Sequence, residues 1–140
     1  MRQEKSTDTE VLEQLRTAGL RPTRQRLALA QILFGQGHRH VTAESLFNEA
    51  KTGHIDVSLA TVYNALHDFT GKGMLREISI DSTRSYFDTN TGDHHHFLNE
   101  DTGLLEDIPA AHLMFAGVPP VPAGTEVRRI DVVVRIKARR

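Results

Sequence analysis

Three histidines stand next to one another in the stretch "DHHHFL", residues 93–98. If this stretch is a β-strand, alternate side chains point to opposite faces, so His94 and His96 share one face and His95 takes the other. Two parallel imidazoles on one face are a sound scaffold for a metal ion. Because the chain contains no cysteine, it has no cysteine-held structural zinc, and any metal must be bound by nitrogen and oxygen atoms.

Two residues outside the histidine run are further candidate ligands. Asp88 ends the strand predicted before the run, and His40 belongs to the predicted loop "GQGHRH" that precedes the third helix. A cation bound by His40 and by the histidine run would set the angle between the two halves of the chain. The alternative is a solvated histidine patch without a ligand. The predicted metal ligands are His40, Asp88, His94, His95 and His96.

A second group of residues has the types that contact nucleic acid. In "VSLATVYNALHDF" (57–69), apolar residues recur at three- and four-residue steps, with short polar side chains between them. An asparagine pairs bidentately with adenine, and a threonine methyl or a tyrosine ring contacts the thymine methyl group. The pattern predicts a recognition helix for a major groove; an amphipathic surface helix with solvated polar residues is the alternative.

Arginines elsewhere in the chain favour the DNA-binding interpretation. Arg21, Arg24 and Arg26 stand near the start of the second predicted helix, where they would contact phosphates or enter a minor groove. Arg84 stands at the tip of a predicted hairpin. For Arg26, a structural role that ties helices together is the alternative. The predicted DNA-binding residues are Arg21, Arg24, Arg26, Ser58, Thr61, Tyr63, Asn64 and Arg84.

Charge is unevenly distributed, although the formal net charge is −1 at pH 7. Residues 14–43 contain five arginines and no acidic residue, whereas residues 85–125 contain six acidic residues and neither lysine nor arginine. A basic segment favours a polyanion as partner, and an acidic, histidine-rich segment favours a cation. Uneven charge on a solvated surface is the alternative explanation.

The elements that must position these residues begin with four short helices. Apolar periodicity predicts them over roughly 9–18, 23–34, 42–53 and 58–71. Thr23, Thr42 and Ser58 are the predicted N-caps. After the helices, "MLREISI" and "SYFDT" predict a β-hairpin. Helices followed by a hairpin predict a winged helix-turn-helix domain over 1–88.

The rest of the chain predicts a hinge over 89–93 and a small α/β domain over 94–140. Its predicted strands are 94–98, a strand around 104–108, and the alternating run "VRRIDVVVRIK" (127–137), which is typical of a half-buried strand. So few short strands bury too little apolar surface to be stable alone. We therefore expect an α+β chain whose second domain dimerises with another copy.

Four segments together resemble the Fur (ferric uptake regulator) family: "LRPTRQR", "HVTAESLF", "SLATVYNAL" and "SYFD" followed by "HHH". They follow in the order and spacing of that family, and the resemblance covers nearly the whole chain. It implies a dimeric regulator that binds a pseudo-palindromic operator in double-stranded DNA, a C-terminal α/β dimerisation domain, and control by iron, often through haem.

Within the family, "TVYNALHDF", "YFDTNTGDHHHF", "DIP" and "IDVVVRIK" look like Irr, the iron response regulator of alphaproteobacteria. The chain also departs from the Fur pattern. Phe97 stands where that pattern, similar to "HHHDHLI", continues with ligands, so the usual regulatory site is expected to be incomplete. Asn64 replaces the base-reading arginine of "TVYR". The cysteine pairs of many relatives and the Cys-Pro haem motif of some Irr proteins are missing, which fits sensing by histidines alone.

These observations favour a regulator controlled by haem or by Fe, Mn or Zn over two other classes. A metal-dependent hydrolase is the first alternative, because a His/Asp centre can activate water, but the chain lacks the common hydrolase motifs and a cysteine nucleophile. A metal-storage protein would not need the arginine-rich helices. The N-terminal stretch "MRQEKSTDTE" has no apolar core of a signal peptide. We therefore expect a cytoplasmic protein that is neither an enzyme nor membrane-bound.

Overall fold

The computed structural model describes residues 7–140, and the chain divides into two compact units, Met1–Thr91 and Gly92–Arg140. The dividing point falls within the predicted hinge. The first six residues of the predicted 1–88 domain, and with them most of the stretch interpreted as lacking a signal peptide, lie outside the described residues. Within 7–140, no helix is both long and apolar enough to cross a membrane.

The first unit contains four helices and a three-stranded antiparallel sheet in the order β1-β3-β2. Its elements are α1 (Asp8–Thr17), α2 (Arg24–Phe34), β1 (His40–Val41), α3 (Ala43–Thr52), α4 (Leu59–Gly71), β2 (Arg76–Asp81) and β3 (Arg84–Asp88). The four predicted helices and the hairpin are therefore confirmed, with boundaries that differ by a residue or two.

Each of the last three helices begins where a hydroxyl accepts a hydrogen bond from a first-turn amide. Thr23 accepts from the amide of Arg26, Thr42 from that of Ser45 and Ser58 from that of Thr61. These bonds satisfy amides that have no partner inside a helix, which is worth about 1 kcal/mol per cap. All three predicted N-caps are confirmed.

The hydrophobic core of the first unit fixes which face of α4 remains outside. Val62, Leu66 and Phe69 are fully buried in that core, and burying a side chain of this size contributes roughly 1.5–3 kcal/mol. Because these residues form one stripe, the residues between them, such as Asn64 and His67, are exposed. The exposed face of α4 is therefore set by apolar packing.

One predicted loop contains a strand. The segment "GQGHRH" was expected to be irregular, but its last residue begins β1, which pairs antiparallel with β3 so that His40 lies opposite Asp88 and Val41 opposite Phe87. The prediction was wrong because two residues are too few to show an alternating pattern. The strand forms because the edge of β3 offers backbone hydrogen-bonding groups to it.

The second unit contains a three-stranded sheet in the order β5-β4-β6 and one 3-10 turn. Its elements are β4 (His94–Asn99), β5 (Leu105–Pro109), the 3-10 helix (Ala110–His112) and β6 (Val133–Ile136). β4 pairs antiparallel with β5 and parallel with β6. The observed final strand is much shorter than the alternating pattern that predicted it, since the ladder with β4 extends only from His96 to Asn99.

Candidate metal centre and nucleic-acid interface

Three side chains of the second unit converge on one face of the β4–β5 pair. His96 lies directly opposite Asp107 in the register, and His94 is two residues before it, hence on the same face. The Nε2 atoms of His94 and His96 lie 3.3 and 3.4 Å from Oδ1 of Asp107. One ligand atom from each residue is within 4.8 Å of the others. We call His94, His96 and Asp107 the triad.

The position of the proton on the neutral His94 ring follows from a hydrogen bond on the side of the ring away from Asp107. Nδ1 of His94 lies 2.6 Å from the carbonyl oxygen of Gly92, and a carbonyl only accepts, so Nδ1–H must donate. In the neutral ring, Nε2 then carries a lone pair and no hydrogen, and this lone pair faces a carboxylate oxygen of Asp107. Two acceptors at this distance repel each other unless a proton or a cation stands between them, and both imidazoles are buried.

His95 lies on the opposite face of β4, as its position in the alternation predicts. Its Nδ1 accepts a hydrogen bond from the amide of Val132 at 3.1 Å, and its ring stands edge-on to Phe115 with 5.6 Å between centroids. The structure therefore does not bring His95 together with the triad. The three consecutive histidines serve two different sets of contacts.

His40 and Asp88 form a pair within the first unit. Nε2 of His40 lies 3.1 Å from Oδ2 of Asp88, whose side chain is almost completely buried. The other carboxylate oxygen of Asp88 accepts a hydrogen bond from the amide of Asn90 at 2.9 Å. β1 and β3 thus bring together two predicted ligands that are distant in sequence.

Asp107 was missed as a candidate ligand in the sequence. It was recognised only as one of several acidic residues in an acidic segment, and its strand was expected near 104–108. What places it beside His96 is the register between β4 and β5, which depends on the turn between them. A single sequence offers alternation within each strand but gives no direct signal for that register.

The exposed face of α4 carries several of the predicted DNA-reading residues. Tyr63 and Asn64 are exposed, and Asn64 makes no hydrogen bond through its side chain within residues 7–140. Ser58 and Thr61 instead interact with each other at the start of the helix, their hydroxyl oxygens 2.9 Å apart. Tyr63 and Asn64 are therefore exposed to solvent, whereas Ser58 and Thr61 form the N-terminal cap of α4.

The predicted arginines differ in their surroundings. Arg21 and Arg24 are exposed. Arg26 donates to Oδ2 of Asp68 on α4 at 2.9 Å and to the carbonyl of Arg21 at 2.7 Å. The contacts of Arg26 correspond to the structural alternative, since they tie α2 to α4.

Arg84, at the hairpin, is exposed and lies 3.6 Å from Asp81. The pKa of Asp81 is held below its ordinary value by hydrogen bonds from the backbone amide and then the hydroxyl of Thr83, with a smaller contribution from Arg84. Asp81 is therefore negatively charged at neutral pH and partly offsets the positive charge of Arg84 at the hairpin tip.

Tyr63 is connected to α3 through a hydrogen bond that the sequence did not indicate. Its hydroxyl donates to Oε1 of Glu44 at 2.8 Å, and its ring stacks with His67, the centroids 6.5 Å apart. Tyr63 and His67 line a cleft of about 310 Å³, together with Glu77 and Arg84 of the hairpin. The hydrogen bond to Glu44, followed by burial and the carboxylate charge, raises the pKa of Tyr63 above 10.0.

We expect replacement of Glu44 by alanine to lower the pKa of Tyr63 toward 10.0. A raised pKa means that the folded state holds the proton more tightly than the unfolded state. Its contribution to stability is therefore present at neutral pH and is lost as the pH rises through the folded pKa. The phenolate absorbance of the wild-type chain minus that of Tyr63→Phe reports this titration, because the only other tyrosine is common to both chains. An identical midpoint in Glu44→Ala would contradict the assignment.

Comparison with known proteins gives a consistent set of similarities. The model of the ferric uptake regulator family matches residues 17–114. The chain is 35% identical over 100 residues to the transcriptional regulator FurA of Mycobacterium tuberculosis, covering 71% of this chain and 67% of FurA. It is 35% identical over 98 residues to the peroxide-responsive repressor PerR of Staphylococcus aureus, covering 70% of this chain and 66% of PerR.

The fold is also similar to solved structures. The ferric uptake regulator from Pseudomonas aeruginosa, solved with manganese, superposes with a TM-score of 0.68 at 25% identity, covering 92% of this chain and 98% of that one. This similarity confirms the predicted α+β fold, in which a winged helix-turn-helix domain is followed by a small α/β dimerisation domain.

Proposed function

Because this chain belongs to the ferric uptake regulator family, we propose that it is a transcriptional regulator whose affinity for operator DNA is controlled by a divalent cation bound at the triad. Members of this family regulate transcription and are not enzymes. Such a regulator acts where its operator is, so we expect it in the cytoplasm.

The observation that carries the proposal is the arrangement of lone pairs in the triad. The bond from His94 to the Gly92 carbonyl leaves Nε2 of a neutral His94 facing the carboxylate of Asp107. Two imidazole nitrogens and a carboxylate oxygen, buried and without thiolates, are a suitable donor set for Fe, Mn or Zn. A divalent cation supplies the positive charge that removes the repulsion between Nε2 of a neutral His94 and the carboxylate of Asp107.

We further propose that His40 and Asp88 are metal ligands as well. Nε2 of His40 lies 3.1 Å from Oδ2 of Asp88 within the first unit. An imidazole nitrogen beside a carboxylate oxygen is a suitable pair of donors for a divalent cation.

A bare cation fits the triad better than haem does. Haem iron offers protein side chains only its axial positions, whereas the triad presents three donor atoms within 4.8 Å of one another. Haem control, and the more specific assignment to Irr, are supported by the sequence resemblance alone. A Soret band that appears on titration with haem and is lost in the His94 and His96 variants would favour the haem alternative.

The dimeric state is supported by the apolar surface of the second unit. Its only buried hydrophobic residues among those described are Leu98 and Ile108, too few to stabilise a domain alone. Large hydrophobic side chains remain exposed: Leu104, Met114, Phe115, Val118, Val121, Val127 and Ile130. Exposed hydrophobic side chains mark an interaction surface when they lie together, and we propose that these do and that a second copy of the chain covers them.

For the DNA interface we propose that Tyr63 and Asn64 read base edges, while Arg21, Arg24 and Arg84 contact phosphates. Ser58 and Thr61 fix the start of the recognition helix close to the backbone. Arg26 is assigned to holding α2 against α4 through Asp68, since its guanidinium is already engaged there. The exposure of Asn64 and its position on the face opposite Phe69 support this assignment.

The proposal is tested by measuring DNA binding with and without zinc. Purified chain is titrated against a duplex selected from a random pool, in chelator or in excess zinc, at several salt concentrations, and the stoichiometry is measured by sedimentation. We expect two chains per site, an affinity that falls steeply with salt, and a clear difference between the two metal conditions. Turnover of an ester or phosphate substrate that chelation abolishes would instead support a hydrolase, and zinc binding without DNA binding would support a storage protein.

A further inference from the structure

The two faces of β4 make different contacts, and the side chain of His95 lies on the face opposite the triad. His94 and His96 point to Asp107 on one face, whereas the His95 ring lies on the other. Since the three residues are consecutive, any displacement of the backbone at His94 or His96 also displaces the His95 ring. What His95 contacts is therefore linked mechanically to the triad.

His95 holds the segment 113–132 near both of its ends. At the far end, its Nδ1 accepts the amide hydrogen of Val132 at 3.1 Å. At the near end, its ring stands edge-on to Phe115, with 5.6 Å between centroids. The segment contains no helix or strand. The two contacts of the His95 imidazole therefore hold the segment against β4 without the hydrogen bonds of regular secondary structure.

Val132 is held by two neighbouring residues of β4 at once. Its amide donates to the His95 ring, and its carbonyl accepts from the amide of His96 at 3.1 Å. His96 is itself a member of the triad, and β6 begins at the next residue, Val133. The start of β6 is therefore determined by a residue of the triad and by the residue beside it.

We propose that His95 is a positioning residue that transmits the metal state of the triad to the segment 113–132. This inference rests on the proposed metal binding at the triad. Ligand binding orders β4 on one face, the His95 ring is held more rigidly on the other, and the bond to Val132 opens less often. The segment carries most of the exposed hydrophobic side chains of the second unit, so the metal state reaches the surface proposed for the second copy.

Two substitutions separate the two contacts of His95. His95→Asn keeps an acceptor close to the position of Nδ1 but removes the ring that meets Phe115. His95→Phe keeps a ring but removes the acceptor. Neither changes His94, His96 or Asp107, so both variants should still bind zinc. His95→Asn should bind it with an affinity close to that of the wild-type chain, whereas His95→Phe should bind it up to about fivefold more weakly, because coupling between the metal and the bond to Val132 is reciprocal.

The readout is hydrogen exchange of the Val132 amide, measured by NMR on the full chain with and without zinc. In the wild-type chain we expect zinc to slow this exchange about fivefold, the protection that one additional hydrogen-bond equivalent provides. His95→Asn should retain a zinc-dependent slowing. In His95→Phe the amide should exchange rapidly in both conditions. The amide of Val62 in α4 is the internal control, because general stabilisation would slow it as well.

Each outcome decides a different point. Failure of the wild-type chain to bind zinc would refute the proposed function together with this inference. Zinc binding without any change at Val132 would refute the inference alone, as would equal slowing in the wild-type chain and in His95→Phe. Loss of the folded state in His95→Phe would leave His95→Asn as the deciding variant, since absence of zinc-dependent slowing in that variant would refute the role of the acceptor.

Discussion

Replacing His94 and His96 together by alanine abolishes the metal response and leaves metal-free DNA binding unchanged. The two residues supply the nitrogen donors of the triad, whereas the exposed face of α4 and the N-terminal arginines are untouched. Loss of a residue that only supports a ligand costs 10–100-fold in metal affinity, so loss of two ligands should cost at least about 100-fold. The measurement is zinc affinity by competition with a chelator, followed by DNA titration in zinc.

A matched control comes from a histidine in the same unit. His112→Ala removes an exposed imidazole from the 3-10 helix and should leave both zinc affinity and the DNA response unchanged. Asp107→Asn preserves the size of the third ligand but removes its charge, and it should weaken zinc binding. If the double variant still changes its DNA affinity on zinc addition as the wild-type chain does, the triad is not the sensor. A normal zinc affinity in His40→Ala would refute only the assignment of His40 as a ligand.

Replacing Asn64 by alanine reduces discrimination among DNA sequences with little effect on non-specific binding. A bidentate contact between an amide side chain and a base edge contributes about 1–3 kcal/mol of discrimination, or roughly 5–150-fold. The Asn64 side chain is exposed and makes no hydrogen bond or ion pair within the described residues, so folding should be unaffected. The ratio of affinities for the selected duplex and for scrambled duplex measures the effect.

Arg24→Ala provides the contrasting variant. Its side chain is exposed near the start of α2, and we propose that it contacts phosphate, so its loss should weaken binding to all duplexes and reduce the salt slope by about one. The pair of variants separates base reading from backbone contact. If Asn64→Ala lowered the affinity for every duplex equally and altered the salt slope, Asn64 would contact the DNA backbone, as proposed for Arg24, and would not read bases.

The sequence predicts the helical part of the first unit well because local signals determine it. Thr23, Thr42 and Ser58 are each a suitable cap directly before an apolar run, and each is the N-cap of a helix as expected. The exposed face of α4 follows from the apolar stripe in the same way. In these cases the interactions that decide the structure lie within four residues of one another, and sequence spacing records them directly.

The metal centre could be predicted only in part, because its geometry depends on pairing between strands. Alternation places His94 and His96 together and His95 apart, but it does not reveal the register that adds Asp107. The strand that contains His40 exists only because β3 pairs with it. Arg26 is a similar case, since its partner Asp68 is 42 residues away in the sequence and lies on a different helix.

The hydrogen bond between the His94 ring and the Gly92 carbonyl has a consequence for how the ligand nitrogen is controlled. A main-chain carbonyl is present whatever side chain occupies position 92, so no point substitution simply deletes this acceptor. Rotation of the 92–93 peptide plane, however, would withdraw it and let the imidazole move its proton to Nε2, where it would occupy the donor lone pair. The tautomer of His94 therefore depends on a backbone torsion. A change in that torsion would replace the lone pair on Nε2 by a hydrogen, and Nε2 would then be unable to bind a cation.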